Sequence, residues 1–461
     1  MSQNKRDSAS FRDPNGFLFW RDGVLFRQVN QRYKDNYSFL MNSGLYQNLV
    51  DGGLLIPHEE VSTEPFDPEN IFRVICPERI PFITYPYEWS FGQLKDAALT
   101  TLAIQKQALT YEMSLKDSSA YNIQFWRGKP ILIDTLSFEK YEVGKPWVAY
   151  RQFCQHFLAP LALMSYRDVR LSQLLRSHID GIPLDLTSKL LPFRTRFNFH
   201  LLTHIHFHAV AQKRYAGKKV DLDSPRQEVT KTGILGILSS LESIVRKLYW
   251  NPDGTTWADY DSTHNYSDIS IKHKKQIITT YLEKVTPNTV WDLGANTGMF
   301  SMIAAETGAS VISFDIDPGA VEKNYLQVRN KGLKNVLPLL QDLNNPSTDI
   351  GWALQERDSL INRGPVDICL VLALVHHLAI SNNVPLKEVA RFLQKIAKFI
   401  IIEFVPKEDS QVKRLLATRE DIFPNYNQNC FEDEFSQYFR IVAWQQLNET
   451  NRIIYLMENL K

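Results

Sequence analysis

The sequence predicts an α/β protein: a doubly wound, Rossmann-like sheet in the C-terminal half, preceded by a separate α+β domain. From about residue 253 onward, short apolar runs alternate with stretches of helical periodicity, which is typical of βαβ units. Two closing apolar runs flank a polar turn at 448–451 and predict a terminal antiparallel hairpin. Because 461 residues exceed one ordinary domain, we predict an N-terminal domain over 1–215, a linker and helix over 216–252, and a C-terminal domain over 253–461.

The overall composition excludes several classes of protein. The net charge is +1, so no overall electrostatic attraction to nucleic acid or to an anionic membrane is expected. The four cysteines lie far apart, with no metal or redox spacing, and no apolar run approaches the roughly 18 residues of a membrane span. We therefore expect a cytoplasmic protein with reduced thiols, while its oligomeric state stays open.

A glycine-rich turn is the most informative stretch. The apolar run 289–293 contains Asp292 and is followed by Gly294, Asn296 and Gly298, after which helical periodicity begins. This order predicts a strand, a tight turn and a helix. Glycines leave the backbone open to a ligand, and the first N–H groups of the helix are free donors. The turn therefore predicts a site for a nucleotide-like cofactor.

Acidic residues follow the next two predicted strands. The apolar run 310–314 ends in Asp315, and an acid at the tip of the second strand can accept both hydroxyls of a ribose. The third run, 336–340, is followed by Gln341 and Asp342. The pattern predicts an adenosine-containing cofactor.

The motif Asp-x-Gly-x-Asn-x-Gly resembles motif I of the class I S-adenosylmethionine (SAM) methyltransferases, with Asn296 where many members carry Gly or Cys. The resemblance implies SAM as cofactor, and it implies that Asp342 accepts from the adenine amino group. In many members a preceding helix caps the cofactor, which makes residues 257–275 a candidate lid. The cofactor residues predicted in this way are Asp292, Gly294, Asn296, Gly298, Asp315 and Asp342.

Paired histidines, His376 and His377, follow the long apolar run of the fourth strand. The carboxyl end of that strand faces the methyl donor in such a sheet, so these residues are the candidate catalytic groups. A histidine there could act as a general base or orient the substrate. Alternatively, the pair packs on the cofactor without a proton-transfer role.

The N-terminal half contains a second motif. Asp117, Asn122 and Asp134 surround a predicted hairpin and resemble the catalytic loop and metal-binding Asp of the kinase and aminoglycoside phosphotransferase superfamily. The resemblance implies a two-lobed fold. However, no glycine-rich loop lies near residues 16–24, and Arg27 is the nearest base to the position of the third-strand Lys. We expect no efficient phosphotransfer, and a plain substrate or scaffold domain stays open as the alternative.

Three histidines, His200, His204 and His208, recur at intervals of four and would share one face of a helix. This geometry can bind zinc, but no Cys or carboxylate accompanies it. The alternative is a helix with partly buried imidazoles, and we assign no metal.

The whole chain is similar in arrangement to the nodulation NoeA-like methyltransferases, which join an N-terminal domain to a class I domain. The predicted function is transfer of a methyl group from SAM to a small-molecule or carbohydrate-like acceptor, with the N-terminal domain as a platform for substrate or partner. A SAM- and nucleotide-binding regulatory or scaffold protein is the alternative. The sequence does not identify the acceptor.

Overall fold

The computed structural model describes residues 5–209, 228–255, 267–417 and 419–461. The chain divides into two compact units: unit 1 comprises residues 1–250 with 350–357, and unit 2 comprises 251–349 with 358–461. This division differs from the predicted boundary at 215, because the helix Lys231–Lys247 belongs to unit 1. Lys95 Nζ of unit 1 donates to the carbonyl oxygens of Arg246 and Leu248, at the end of this helix, at 2.9 and 2.8 Å. Residues 216–227, the first part of the predicted linker and helix, lie outside the described residues.

Unit 1 contains a five-stranded antiparallel sheet in the order β1-β2-β3-β5-β4. The apolar runs 16–20 and 24–29, joined by a polar turn, predict its first hairpin, and the turn residues Asp22 and Gly23 both have the positive φ that such a turn requires. Two two-stranded sheets follow, in which β6 pairs with β9 and β7 with β8. The strands are β1 (Lys5–Arg6), β2 (Gly16–Arg21), β3 (Val24–Asn30), β4 (His58–Glu60), β5 (Ile71–Pro77), β6 (Met113–Leu115), β7 (Ile123–Trp126), β8 (Lys129–Leu132) and β9 (Phe138–Lys140).

The helices of unit 1 follow the apolar periodicity, with two differences from the sequence prediction. The apolar residues from Tyr37 to Leu49, followed by Gly52 and Gly53, predict a single helix, but two helices lie there, because Gly44 has a φ of 86° between them. The apolar run 81–89 predicts a strand, which is wrong: a short 3-10 turn, Pro86–Glu88, lies there. The longer helices are α1 (Lys34–Asn42), α2 (Leu45–Asp51), α3 (Phe91–Thr110), α4 (Ala159–Tyr166), α5 (Leu184–Leu190) and α6 (Lys231–Lys247).

Unit 2 is built on one seven-stranded sheet in the order β12-β11-β10-β13-β14-β16-β15. The first five strands are mutually parallel, and β16 runs antiparallel to both of its neighbours. The parallel central sheet and the terminal hairpin are both as predicted. The strands are β10 (Thr289–Leu293), β11 (Ser310–Asp315), β12 (Val336–Leu340), β13 (Val366–Val371), β14 (Ala397–Phe404), β15 (Phe439–Gln446) and β16 (Ile453–Asn459).

Helices pack on this sheet and bury its apolar strands. Val290, Ile368 and Ile401, from three adjacent strands, belong to one buried cluster with side chains of the first two helices. Burial of such aliphatic side chains is the main stabilising contribution of a doubly wound sheet. The helices are α7 (Asp268–Val285), α8 (Met299–Glu306), α9 (Pro318–Lys331), α10 (Leu386–Ile396), α11 (Ser410–Leu416) and α12 (Gln428–Ser436).

None of the helices in the described ranges is both long and apolar enough to cross a membrane.

Candidate functional site

A cavity of about 440 Å³ opens at the carboxyl ends of the parallel strands of unit 2. This edge is where open α/β sheets bind their ligands, because the turns after the strands leave a crevice. Seven of the eight predicted site residues line the cavity, and Gly298 does not. The seven are Asp292, Gly294, Asn296, Asp315, Asp342, His376 and His377.

The glycine-rich turn is held against the end of β11. The N–H groups of Gly294 and Ala295 both donate to the carbonyl oxygen of Phe314 at 2.9 Å. Asn296 has a φ of 51°, a left-handed conformation that Asn tolerates better than most residues, and its N–H donates to Asp315 Oδ2 at 2.8 Å. These bonds turn the backbone sharply before α8 begins and fix its shape beside the cavity.

Gly298 has a packing role that the sequence did not reveal. Its φ is 87°, and a Cβ built on it would lie 2.5 Å from both polar atoms of the Asn324 side chain amide. Side chains other than Gly are strained in that conformation and would clash here. The glycine is therefore required by the close approach of α9, and its position gives no direct contact with the cavity.

Two buried carboxylates flank the turn. Asp292 accepts a hydrogen bond from Ser301 Oγ at 2.6 Å, which connects β10 to the first turns of α8. Asp315 accepts from the N–H groups of Asn296 and Asp317, one on each oxygen. Burial raises the pKa of each carboxyl to about 6, against the opposing effect of these hydrogen bonds. Both groups are ionised above that pH.

Asp342 lies in the loop after β12, on the cavity wall. Its Oδ1 accepts from the N–H of Asn344 at 2.8 Å, which leaves its second oxygen available to a ligand donor. The preceding Gln341 is bonded through its N–H to the Asp315 carbonyl oxygen at 2.8 Å. Backbone hydrogen bonds thus connect the two acidic loops.

The paired histidines occupy a tight turn after β13. The N–H groups of His377 and Leu378 both donate to Leu374 O, and the two imidazole centroids lie 4.2 Å apart. His376 is buried, and its Nδ1 has no hydrogen-bond partner among the described residues. Burial lowers the pKa of His376 well below its ordinary value, and His377 and Arg452 act in the same direction. His376 is therefore neutral at physiological pH.

A buried ionic cluster that the sequence analysis missed adjoins these histidines. Lys274 Nζ lies 2.6 Å from Glu403 Oε2, and Arg452 Nη1 lies 3.5 Å from Glu403 Oε1. Arg452 also contacts both oxygens of Asp409, at 2.8 and 3.1 Å. Lys274 and Arg452 both line the cavity. Glu403 lies near the end of a mostly apolar strand, and a buried acid of that kind needs a partner, which is the only hint the sequence offered.

The predicted lid, 257–275, is only partly described, because residues 257–266 lie outside the described ranges. Its remaining part begins α7, from which Ile271 and Lys274 reach the cavity wall.

In unit 1, the residues Asp117, Asn122 and Asp134 come together. Asn122 Nδ2 donates to Ser137 Oγ at 3.3 Å, and that hydroxyl donates to Asp134 Oδ2 at 2.6 Å. The guanidinium of Arg27 lies 2.6 Å from Asp134 Oδ1. Burial alone would raise the pKa of Asp134, but Arg27 and the hydrogen bonds outweigh it, and the pKa lies below its ordinary range. The charge of Asp134 is thus neutralised within the protein.

The three histidines at intervals of four form a hydrogen-bonded chain. Ser240 Oγ lies 2.7 Å from His200 Nδ1 and 2.9 Å from His204 Nε2. Tyr150 OH lies 2.7 Å from His204 Nδ1 and 3.0 Å from His208 Nε2. Within the described ranges no cluster of three or more His, Cys, Asp or Glu side chains is placed to hold a metal ion. The imidazoles fasten the helical segment 199–208 to α6 and to Tyr150.

Four features of unit 2 together define a class I methyltransferase fold. They are the sheet order, the single antiparallel strand, the glycine-rich first turn and the acid at the tip of the second strand. The chain is 37% identical over 459 residues to the nodulation protein NoeA of Rhizobium meliloti (strain 1021), across 98% of this chain and 96% of that relative. It belongs to the NoeA family. No profile of a known protein family matches the chain.

Solved structures similar to parts of the chain include three methyltransferases. The bifunctional kinase-methyltransferase WbdD is 17% identical, with 47% of this chain and 45% of that chain covered and a TM-score of 0.30. The N-methyltransferase NodS from Bradyrhizobium japonicum WM9 is 9% identical, with 42% and 99% covered and a TM-score of 0.31. Magnesium protoporphyrin IX methyltransferase from Synechocystis PCC 6803, with bound SAH, is 17% identical, with 41% and 84% covered and a TM-score of 0.30.

Proposed function

We propose that unit 2 transfers the methyl group of SAM to a small-molecule or carbohydrate-like acceptor bound beside His376. One observation carries the proposal: a single cavity joins the glycine-rich turn and two acidic strand ends to a neutral, buried histidine. Such a cavity can hold a cofactor at one end and an acceptor at the other.

The residues at the first end fit SAM. Asp315 keeps lone pairs free beyond its two backbone bonds, so its carboxylate can accept from ribose hydroxyls. Asp342 has an oxygen available to the adenine amino group. Gly294, with a φ of 76°, lets the turn pass close to the cavity, and an added Cβ would meet Leu374 at 3.3 Å. When bound, SAM would supply a methyl group on a sulfonium, which needs no metal to activate it.

The acceptor end explains how the chain would contribute to the reaction. His376 lines the cavity, and an acceptor hydroxyl or amine bound there can form a hydrogen bond with its imidazole. A neutral imidazole with a strongly lowered pKa is a weak base, so His376 orients the acceptor rather than removing its proton. Catalysis then comes mainly from alignment of the acceptor atom with the methyl group in a site from which water is excluded.

Transfer of radiolabelled methyl groups from SAM to a panel of small hydroxylated and amino acceptors tests the proposal. The His376→Ala variant is expected to lose about tenfold or more in kcat/KM while SAM binds as before, since one positioning hydrogen bond is lost. The alternative, a regulatory SAM-binding protein, predicts SAM binding with no methyl transfer to any acceptor. SAM binding that depends strongly on His376 would instead favour the packing role of this pair.

We infer that unit 1 is a kinase-like platform without efficient phosphotransfer, which presents acceptor or partner to unit 2. The ion pair between Arg27 and Asp134 supports this inference, because it occupies the carboxylate that the superfamily uses to hold magnesium. Partial burial raises the pKa of Asp117, and its Oδ1 already accepts from Ser119 N–H.

Incubation of the full chain with Mg²⁺ and γ-labelled ATP should yield no phosphorylated product and no ATP hydrolysis above a buffer control. Measurable phosphate transfer that disappears in an Asp117→Asn variant would contradict the platform role.

A further inference from the structure

Four phenylalanines in one short segment of unit 1 are exposed. Phe193, Phe197, Phe199 and Phe207 are 67%, 80%, 73% and 57% exposed, all within one segment of the chain. Isolated exposed apolar residues are common on protein surfaces, but a group of this density marks an interaction site. Arg194 and Arg196 are also exposed. We call these two arginines and the four phenylalanines the aromatic-basic patch.

The local structure holds the patch rigidly. Thr195 is buried between the exposed residues of the 3-10 turn Phe193–Phe197, and its hydroxyl bonds to Pro192 O at 2.7 Å and lies 3.0 Å from His206 Nε2. The following helical segment buries Ile205 and His206. Because the opposite face is anchored in this way, local packing leaves the phenylalanine side chains exposed.

Two basic side chains belong to the patch. Arg194 and Arg196 are exposed on the 3-10 turn Phe193–Phe197, between the aromatic residues. The guanidinium of Arg196 lies 5.4 Å from the centroid of the Phe193 ring, and that of Arg194 lies 5.8 Å from the Tyr166 ring. The whole chain is nearly neutral at +1, but these two guanidinium groups give the patch a local positive charge.

We propose that the aromatic-basic patch docks unit 1 onto an anionic lipid bilayer. Phenylalanine rings enter the boundary between headgroups and acyl chains, while neighbouring Arg side chains stay with the phosphates. Basic residues at such a surface are attracted by anionic lipids. This surface role goes beyond the proposed methyl transfer, because every patch residue belongs to unit 1.

A nucleic acid fits this surface less well. Bases stack on open aromatic faces, whereas Phe193 is flanked by Arg196 and by Phe197, whose ring centroid lies 5.6 Å away at an interplanar angle of 81°. A bilayer requires no such open face and no matching concave surface, since its interface adapts to the rings that enter it.

Sedimentation of the full chain with vesicles tests the proposal. Vesicles of phosphatidylcholine alone are compared with vesicles containing about one quarter phosphatidylglycerol, a charge density that attracts basic surfaces. We expect binding to the anionic vesicles that weakens with added salt. The Phe193→Ser, Phe197→Ser double variant should reduce the partition coefficient about tenfold or more, because two rings no longer enter the interface.

Three further variants make the outcome decisive. The Arg194→Gln, Arg196→Gln pair should lose the preference for anionic over neutral vesicles while its folding is unaffected, since both side chains are exposed. Trp444→Ser is the matched control, because this aromatic side chain is 62% exposed on unit 2, and it should bind like the native chain. Equal sedimentation of the native chain and both patch variants would overturn the proposal. Absence of vesicle binding by the native chain, with or without binding to single-stranded RNA, would overturn it as well.

Discussion

Replacement of Asp315 by Asn tests the assignment of the cofactor end most directly. The change preserves the size of the side chain and removes its charge. In the proposed complex, the carboxylate accepts two ribose hydroxyls, and hydrogen bonds to a charged group contribute about 1.5 to 3 kcal/mol each. Loss of one bond and weakening of the other should cost about 3 kcal/mol, which lowers the affinity for SAM about 150-fold.

The stability of the variant can be predicted from the same contacts. Burial raises the pKa of Asp315 to about 6, so above that pH its charge destabilises the fold by about 3 kcal/mol relative to an ordinary carboxyl. Asn removes this penalty but loses one of the two backbone bonds, from Asn296 or Asp317, at a cost of about 1 to 3 kcal/mol. The two effects offset each other, and the free energy of unfolding at pH 7.5 should change by less than about 2 kcal/mol.

Calorimetric titration with SAM, together with denaturant unfolding, measures both quantities. Asp317→Asn is a suitable control, because Asp317 is a buried acid that caps α9, and Asn can replace it as a cap. The control should bind SAM as the native chain does. Unchanged SAM affinity in Asp315→Asn, with a folded protein, would refute the ribose assignment.

Three other perturbations have defined outcomes. Because Asp315 must be ionised to accept both hydroxyls, SAM affinity should be constant above about pH 6 and fall up to tenfold per pH unit below it. Titration calorimetry at several pH values measures this dependence. An affinity that stays constant down to about pH 5 would contradict it. Gly298→Ala should lower the free energy of unfolding by about 2 to 4 kcal/mol, since the Cβ would meet Asn324 in a left-handed conformation, and unaltered stability would show that the turn can relax. Glu403→Gln should cost about 3 to 5 kcal/mol of unfolding free energy, because it leaves the Lys274 ammonium buried without its carboxylate. The Lys274→Met, Glu403→Leu double variant should recover much of that loss. Equal losses in the two variants would argue against the ion pair as the cause.

The architecture of unit 2 and most of its cavity wall were predictable from the amino-acid pattern. Strand, turn and helix are local patterns, and parallel strands of a doubly wound sheet bring their carboxyl ends to one edge. Residues at or shortly after the ends of those strands, such as Asp315, Asp342 and His376, are therefore brought to that edge. Local periodicity together with a general rule of topology was sufficient.

The features that join distant segments became apparent only from the three-dimensional packing. The Lys274, Glu403 and Arg452 cluster connects α7, the end of β14 and the chain just before β16, and no spacing in the sequence relates these three positions. Gly298 was predicted to bind the cofactor, but it lies outside the cavity wall and packs against Asn324, which approaches from another helix. Exposure of the four phenylalanines likewise follows from which face of their segment is anchored. Side-chain burial and pairing depend on long-range packing, which a one-dimensional pattern does not specify.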